Sequence, residues 1–169
     1  MQALAGHSDV VVLADALPPV QSNGASAVEQ NATSLAAHRV IGADFRNRTA
    51  VAEWVLARQT DKGGRFSVAV IAIGEARPDG SLRPAVEDLL AAGAVIDALA
   101  GVGIDHCSPE AAAASAAFVG LKRALKHVLS GSESGQAFHA NSRTPLVHAA
   151  SVLDSSAEVV EIRDYVFPG

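Results

Sequence analysis

Phe66-Ser67-Val68-Ala69-Val70-Ile71-Ala72-Ile73 is the stretch on which the fold turns. It carries no charge and hardly alternates between apolar and polar, so it reads as a strand buried on both faces, as in the middle of a parallel sheet. Gly74-Glu75 ends it and Pro78-Asp79-Gly80-Ser81 makes a turn. Pro84 suits the first turn of a helix running to about Ala100. Toward the N-terminus, Ala50 to Arg58 reads as a helix with Val51, Trp54 and Val55 on its core face. Arg39 to Phe45 reads as a second strand. Val10 to Ala14 is a third, ending at Asp15 before Pro18-Pro19, with a Ser22-Asn23-Gly24 turn and a helical composition near 25 to 37 beyond it. Strand and helix patterns alternate up to about residue 100, which predicts a mostly parallel sheet with helices on both faces.

The second half is helical. A helix is expected from Ser108-Pro109-Glu110 to about Leu129, with Phe118, Leu121, Leu125 and Val128 on one stripe and Lys122, Arg123 and Lys126 on the other side. Ser130 to Gly135 reads as a flexible break. One or two short helices and a strand near Val159 to Phe167 finish the chain. No linker or repeat divides residues 1–169, so a single domain is expected.

Composition narrows the function. Hydrophobic residues make up 49% and aromatic ones only 4%, so Ala, Val, Leu and Ile must build the core. A formal charge of -5 with no basic tract argues against nucleic acid as a partner. The single cysteine, Cys107, excludes an intramolecular disulfide and reads as a small buried hydrophobe. No secretory signal or membrane-crossing stretch stands out, and a cytoplasmic protein that does not engage membranes is expected.

Glu87-Asp88 is the most informative pair. The segment that follows, Leu89 to Ile104, holds one charged residue, Asp97. A helix that apolar is packed on most of its circumference, so carboxylates at its head risk a burial that needs compensation. They either complement the helix dipole or serve a site. Glu75, at the carboxyl end of the strand, sits where open α/β sheets bind ligands and favours the site. Adjacent helical residues do not share a face, so one of Glu87 and Asp88 is expected to point into it. Clustered carboxylates without Cys or His suit Mg²⁺. Arg46-Asn47-Arg48 opens a helix, where propensity would not choose two arginines. They either reach into water or form an anion site with free backbone amides.

These stretches together resemble the 2-phosphosulfolactate phosphatase family. Phe45-Arg46-Asn47 with Ala50-Val51-Ala52, Val68 to Glu75, and Ser81-Leu82-Arg83-Pro84-Ala85-Val86-Glu87-Asp88 leading to Ala92-Gly93-Ala94 carry the likeness. Ser108-Pro109-Glu110-Ala111 and Ser134-Gly135 through Ala149-Ala150 to Leu153-Asp154 extend it over roughly residues 40 to 169. The resemblance implies a three-layer α/β/α sandwich and Mg²⁺-dependent hydrolysis of a phosphate monoester on a small sulfonated hydroxy acid, in the setting of coenzyme M biosynthesis. Family members carry an early strand with an aspartate, then many tens of residues before an Asn-Gly turn. Here Asp15 is followed almost at once by Asn23-Gly24, so the N-terminal part is expected to be shortened.

The reading is therefore a phosphoric monoester hydrolase, 2-phosphosulfolactate phosphatase-like. Asp15, Glu75, Glu87 and Asp88 are its catalytic candidates, Glu87 and Asp88 its Mg²⁺ ligands, and Asn23, Gly24, Arg46, Asn47 and Gly74 its substrate contacts. The partner is a small anionic phosphorylated metabolite, and exposed sheet edges suggest a homo-oligomer. The alternative is a non-catalytic relative that binds a small anion or oligomerises.

Overall fold

The computed structural model describes residues 8–17, 39–77 and 79–162. Four strands form the main sheet: β1 (Val10–Ala14), β2 (Arg39–Ala43), β3 (Val68–Ala72) and β6 (Val160–Ile162), in the order β3-β1-β2-β6. β1 runs parallel to β2 and β3 in the registers Val12↔Ile41 and Val12↔Val70, and β6 closes the far edge antiparallel to β2. A two-stranded hairpin, β4 (Glu75–Ala76) and β5 (Leu82–Arg83), stands beyond the end of β3.

The centre of the sheet is β1. Val10 to Ala14 are at most 1% exposed, whereas every residue of β3 is only half-buried. The expectation that Phe66–Ile73 supplies the central strand is therefore corrected. Lateral order is set by the crossovers, and helix α1 (Arg48–Lys62) carries the chain from β2 past β1 to the outer position.

Val10, Val12 and Ile41 on one face pack with Val51, Ala52 and Val55 of α1 and with Val95, Ala98 and Leu99 of α2 (Val86–Gly101). Val11, Leu13 and Val40 on the opposite face are buried as well. A mostly parallel sheet with helices packed on it is consistent with an α/β/α arrangement; among the described residues the helices lie on the first of these faces. Trp54 is half-buried at the margin of the core, with the Arg58 guanidinium over its ring at 5.1 Å.

α2 starts two residues after Pro84, and α3 (Pro109–Leu121) packs along it. At Gly93 a Cβ atom would lie 2.1 Å from the Ala114 carbonyl oxygen. The alanine-rich faces thus bring two backbones into contact that larger side chains would hold apart. Ser108 caps α3 by accepting the Ala111 amide, with Pro109 in the first turn.

α3 does not continue to Leu129. A 3₁₀ turn at Lys122–Ala124 separates it from α4 (Leu125–Gly131), and the change in winding leaves Leu121 exposed and buries Leu129 rather than Val128. Nor is Ser130 to Gly135 a loose break. Ser132 caps α5 (Glu133–Ala140) by accepting the Gly135 amide, and Gly135 packs against the Leu129 carbonyl where a Cβ would sit at 1.9 Å. α6 (Thr144–Ala150) completes the helical side. Cys107 is exposed between α2 and α3, not buried, because that loop leaves the core.

Candidate active site

The carboxyl ends of β1 and β3 and the head of α2 meet at one point. Asp88, in the first turn of α2, accepts the Ala16 amide through Oδ1 at 2.9 Å and the Gly74 amide through Oδ2 at 2.9 Å. These are the residues just past β1 and β3, so one side chain ties two strand ends to the helix. Gly74 has φ +70, and a Cβ there would be 2.7 Å from the Arg83 carbonyl oxygen. Only glycine takes that conformation cheaply, and the bend folds the β4–β5 hairpin back over the helix head.

Glu87 is 1% exposed, and neither of its carboxylate oxygens has a hydrogen-bond partner among the described residues. Its nearest cation is Arg83, whose Nη2 lies 3.7 Å from Oε1. Both Glu87 and Asp88 therefore turn inward, in place of the single one expected. The helix head is sunk against strand ends and a hairpin, so the buried arc is wider than a one-sided helix would have. Asp15, directly after β1, has one more buried oxygen, Oδ2, without a hydrogen-bond partner among the described residues.

Crowded acids in a dry place hold their protons. Burial above all pushes Asp88 up to about 7; the Asp15 charge adds to this and the Ala16 and Gly74 amides oppose it. Burial likewise raises Asp15 to about 6, opposed by the Leu17 amide and reinforced by the charges of Asp44, Glu87 and Glu75. Glu75 lies on the hairpin, 48% exposed, and binds Arg83 at 2.7 Å.

Arg83 was not among the residues singled out from sequence. It is the hub of the site, pairing with Glu75, donating to the Ser134 hydroxyl at 2.7 Å and standing 3.7 Å from both Glu87 and Glu133. A signal was present: it is the cation four residues before Glu87, entering an apolar helix whose first-turn carboxylates need an answering charge.

The arginines at the head of α1 have other work. Arg48 bridges Asp97 at 2.9 Å and Asp154 at 3.0 Å, with its guanidinium over the Phe118 ring. Asp154 also accepts the Thr49 amide, so the chain's own carboxylate occupies the helix end that sequence offered to an external anion. Asn47 is buried, its Oδ1 accepting the Asp44 amide and its Nδ2 donating to the Gly42 and Glu158 carbonyls. Arg46 is half-exposed and forks onto Asp44, which raises its already high pKa. It stands beside the acidic centre through Asp44, whose charge reaches Asp15. Asn23 and Gly24 lie outside the described residues.

A family model described as 2-phosphosulpholactate phosphatase matches residues 20–164. The chain belongs to this family. The match starts about twenty residues before the 40–169 likeness read from motifs. It takes in Asn23, Gly24, Arg46, Asn47, Gly74, Glu75, Arg83, Glu87 and Asp88 and begins after Asp15. No curated protein matches the chain. Membership in a phosphatase family gives the buried carboxylates a chemical context, since a phosphate ester is hydrolysed by groups that move protons and offset negative charge. Among the described residues, no helix is long and apolar enough to cross a membrane.

Proposed function

We propose that the chain is a Mg²⁺-dependent phosphatase acting on the phosphate monoester of a small sulfonated hydroxy acid of the 2-phosphosulfolactate type. The observation that carries this reading is Glu87, buried with two unpartnered carboxylate oxygens in a cluster already crowded with negative charge. Such an arrangement is costly unless a cation joins it.

The residues fit Mg²⁺. That ion commonly takes one or two carboxylates and fills its remaining positions with water and substrate phosphate oxygens. It does not require a protein cage, and the described residues contain no group of three or more His, Cys, Asp and Glu arranged as one. Glu87 would hold the ion through its two free oxygens, with Asp88 beside it. Bound there, the ion would offset charge on the phosphoryl oxygens as the ester bond breaks.

The chain's own groups divide the rest. Asp88 fixes the strand ends through the Ala16 and Gly74 amides. Asp15 Oδ2 is unengaged on a carboxyl raised to about 6, which suits proton exchange with water or the leaving oxygen near neutral pH. Arg83 and Arg46 are the cations beside the site, and they favour a substrate carrying acidic groups besides the phosphate. Activity in the cytoplasm and a place in coenzyme M biosynthesis belong to the same proposal.

The test is phosphate release from phosphosulfolactate and from phospholactate, with and without Mg²⁺. Wild type should turn over phosphosulfolactate only with the ion, and Glu87→Gln should lose at least a hundredfold. Ligand-induced thermal stabilisation without any turnover would overturn the enzymatic reading and leave an anion-binding relative.

A further inference from the structure

Arg83 is buried four residues before Glu87, yet the two side chains do not join. Arg83 Nη2 stops 3.7 Å from Glu87 Oε1, against about 2.7–2.9 Å for a charge-assisted hydrogen bond. Counting donors explains the gap. A terminal guanidinium nitrogen carries two hydrogens. Nη2 gives one to Glu75 Oε2 at 2.7 Å and the other to the Ser134 hydroxyl at 2.7 Å. None is left for Glu87. The two acceptors differ in how firmly they are placed. Glu75 is half-exposed on a two-residue strand of the hairpin. Ser134 lies in the first turn of α5, between residues that are locked to α4. Ser132 accepts the Gly135 amide and donates to the Leu129 carbonyl, and Gly135 packs against that same carbonyl.

We propose that Ser134 is a positioning residue of the candidate active site: by taking one Nη2 hydrogen from a fixed seat on α5, it holds Arg83 off Glu87 and keeps both Glu87 oxygens open to Mg²⁺. The first half concerns only contacts within the chain. The second half rests on the Mg²⁺ reading proposed above. Without the Ser134 hydroxyl, the freed N–H points its charge at a buried carboxylate that has no other hydrogen-bond partner among the described residues. Such a carboxylate gains more from a new donor than an exposed one does. Glu133 also stands 3.7 Å away, but it faces Nε rather than Nη2 and is 70% exposed, so water already serves it. Arg83 would therefore close onto Glu87, and an oxygen meant for a divalent ion would be occupied by the chain's own cation. Ser134 itself touches neither the ion nor the substrate and acts through Arg83.

A double-mutant cycle on the whole chain, melted in the presence of a chelator, tests the placement without the ion. In the wild-type background Glu87→Gln removes a buried charge that lacks a hydrogen bond, and Tm should rise by about 3 °C. In the Ser134→Ala background the same change breaks a closed pair, and Tm should fall by about as much. Titration calorimetry then reads the ion. Ser134→Ala should bind Mg²⁺ about tenfold more weakly than wild type, and Ser134→Thr, which keeps the hydroxyl, should match wild type. A Ser134 with a merely structural role would lower Tm on its own but leave the other readings alone. An equal effect of Glu87→Gln in both backgrounds would therefore overturn the proposal, as would wild-type Mg²⁺ affinity in Ser134→Ala. A wild type that binds no Mg²⁺ would overturn the Mg²⁺ reading and the second half with it, while the cycle still decides the first. Mg²⁺ binding without phosphate release would count against the phosphatase reading alone.

Discussion

Asp88 accepts the backbone amide of Gly74 at 2.9 Å, and through that bond the head of α2 is fastened to the end of β3. The same carboxylate reaches Ala16 beyond β1. Two strand ends and a helix N-terminus thus depend on one acid that is itself raised to about 7. The scaffold and the candidate chemistry share a residue, which sets what should happen when either is disturbed.

Gly74→Ala should weaken both. Its φ of +70 strains any side chain, and the new Cβ would press on the Arg83 carbonyl at 2.7 Å. A loss of about 2 kcal/mol in unfolding free energy is expected. Phosphate release should fall with it, because the hairpin that presents Arg83 and Glu75 is displaced. Chemical denaturation and the phosphate assay on one sample check the pair of effects. Unchanged values in both would mean the bend is not needed.

Stability should fall as pH rises through neutrality. Asp15 and Asp88 have folded pKa values of about 6 and about 7, above their ordinary 3.8, so the folded state holds their protons more tightly than the unfolded state does. Their contribution is present in full below the unfolded value and is lost as pH climbs through 6 and 7. The loss is on the order of several kcal/mol between pH 5 and pH 8 for the two together. Asp9 is shifted the other way by Lys62, so points below pH 5 mix opposite effects. Melting curves from pH 5 to 8.5 should decline in wild type and flatten in Asp88→Asn. A flat wild-type profile would contradict the burial of these acids.

Arg48→Ala separates structure from chemistry. The arginine clamps Asp97 and Asp154 and covers Phe118, all away from the acidic centre. Its loss should cost about 1–2 kcal/mol by leaving partly buried carboxylates without a partner. Phosphate release per folded molecule should stay within about twofold of wild type. A hundredfold loss of turnover with stability intact would instead place Arg48 at the substrate.

Much of the site was legible in the sequence because it is written locally. An apolar helix opening on Glu87-Asp88 announces that its head is buried, and a strand ending in Gly74-Glu75 announces where the chain bends. What local pattern does not carry is lateral order and charge partnership. The Phe66–Ile73 run is more apolar than an edge strand usually is, and it was β1 that took the centre because a crossover helix placed β3 outside it. Arg46-Asn47-Arg48 looked open to an anion because Asp154, more than a hundred residues away, supplies the answering charge only after folding. Arg83 is legible only in part: Glu87 is four residues from it, whereas Glu133 and Ser134 reach it from a helix some fifty residues on.

The measurement closest to the central claim is proton release on Mg²⁺ binding, read by titration calorimetry at pH 7 in two buffers of different ionisation enthalpy. If the ion settles against Glu87 and Asp88, it must displace a proton from Asp88, whose carboxyl is raised to about 7 by burial. Proton release should therefore accompany binding, and Glu87→Gln should abolish the binding heat. Binding that releases no proton, or that survives Glu87→Gln unchanged, would contradict the account.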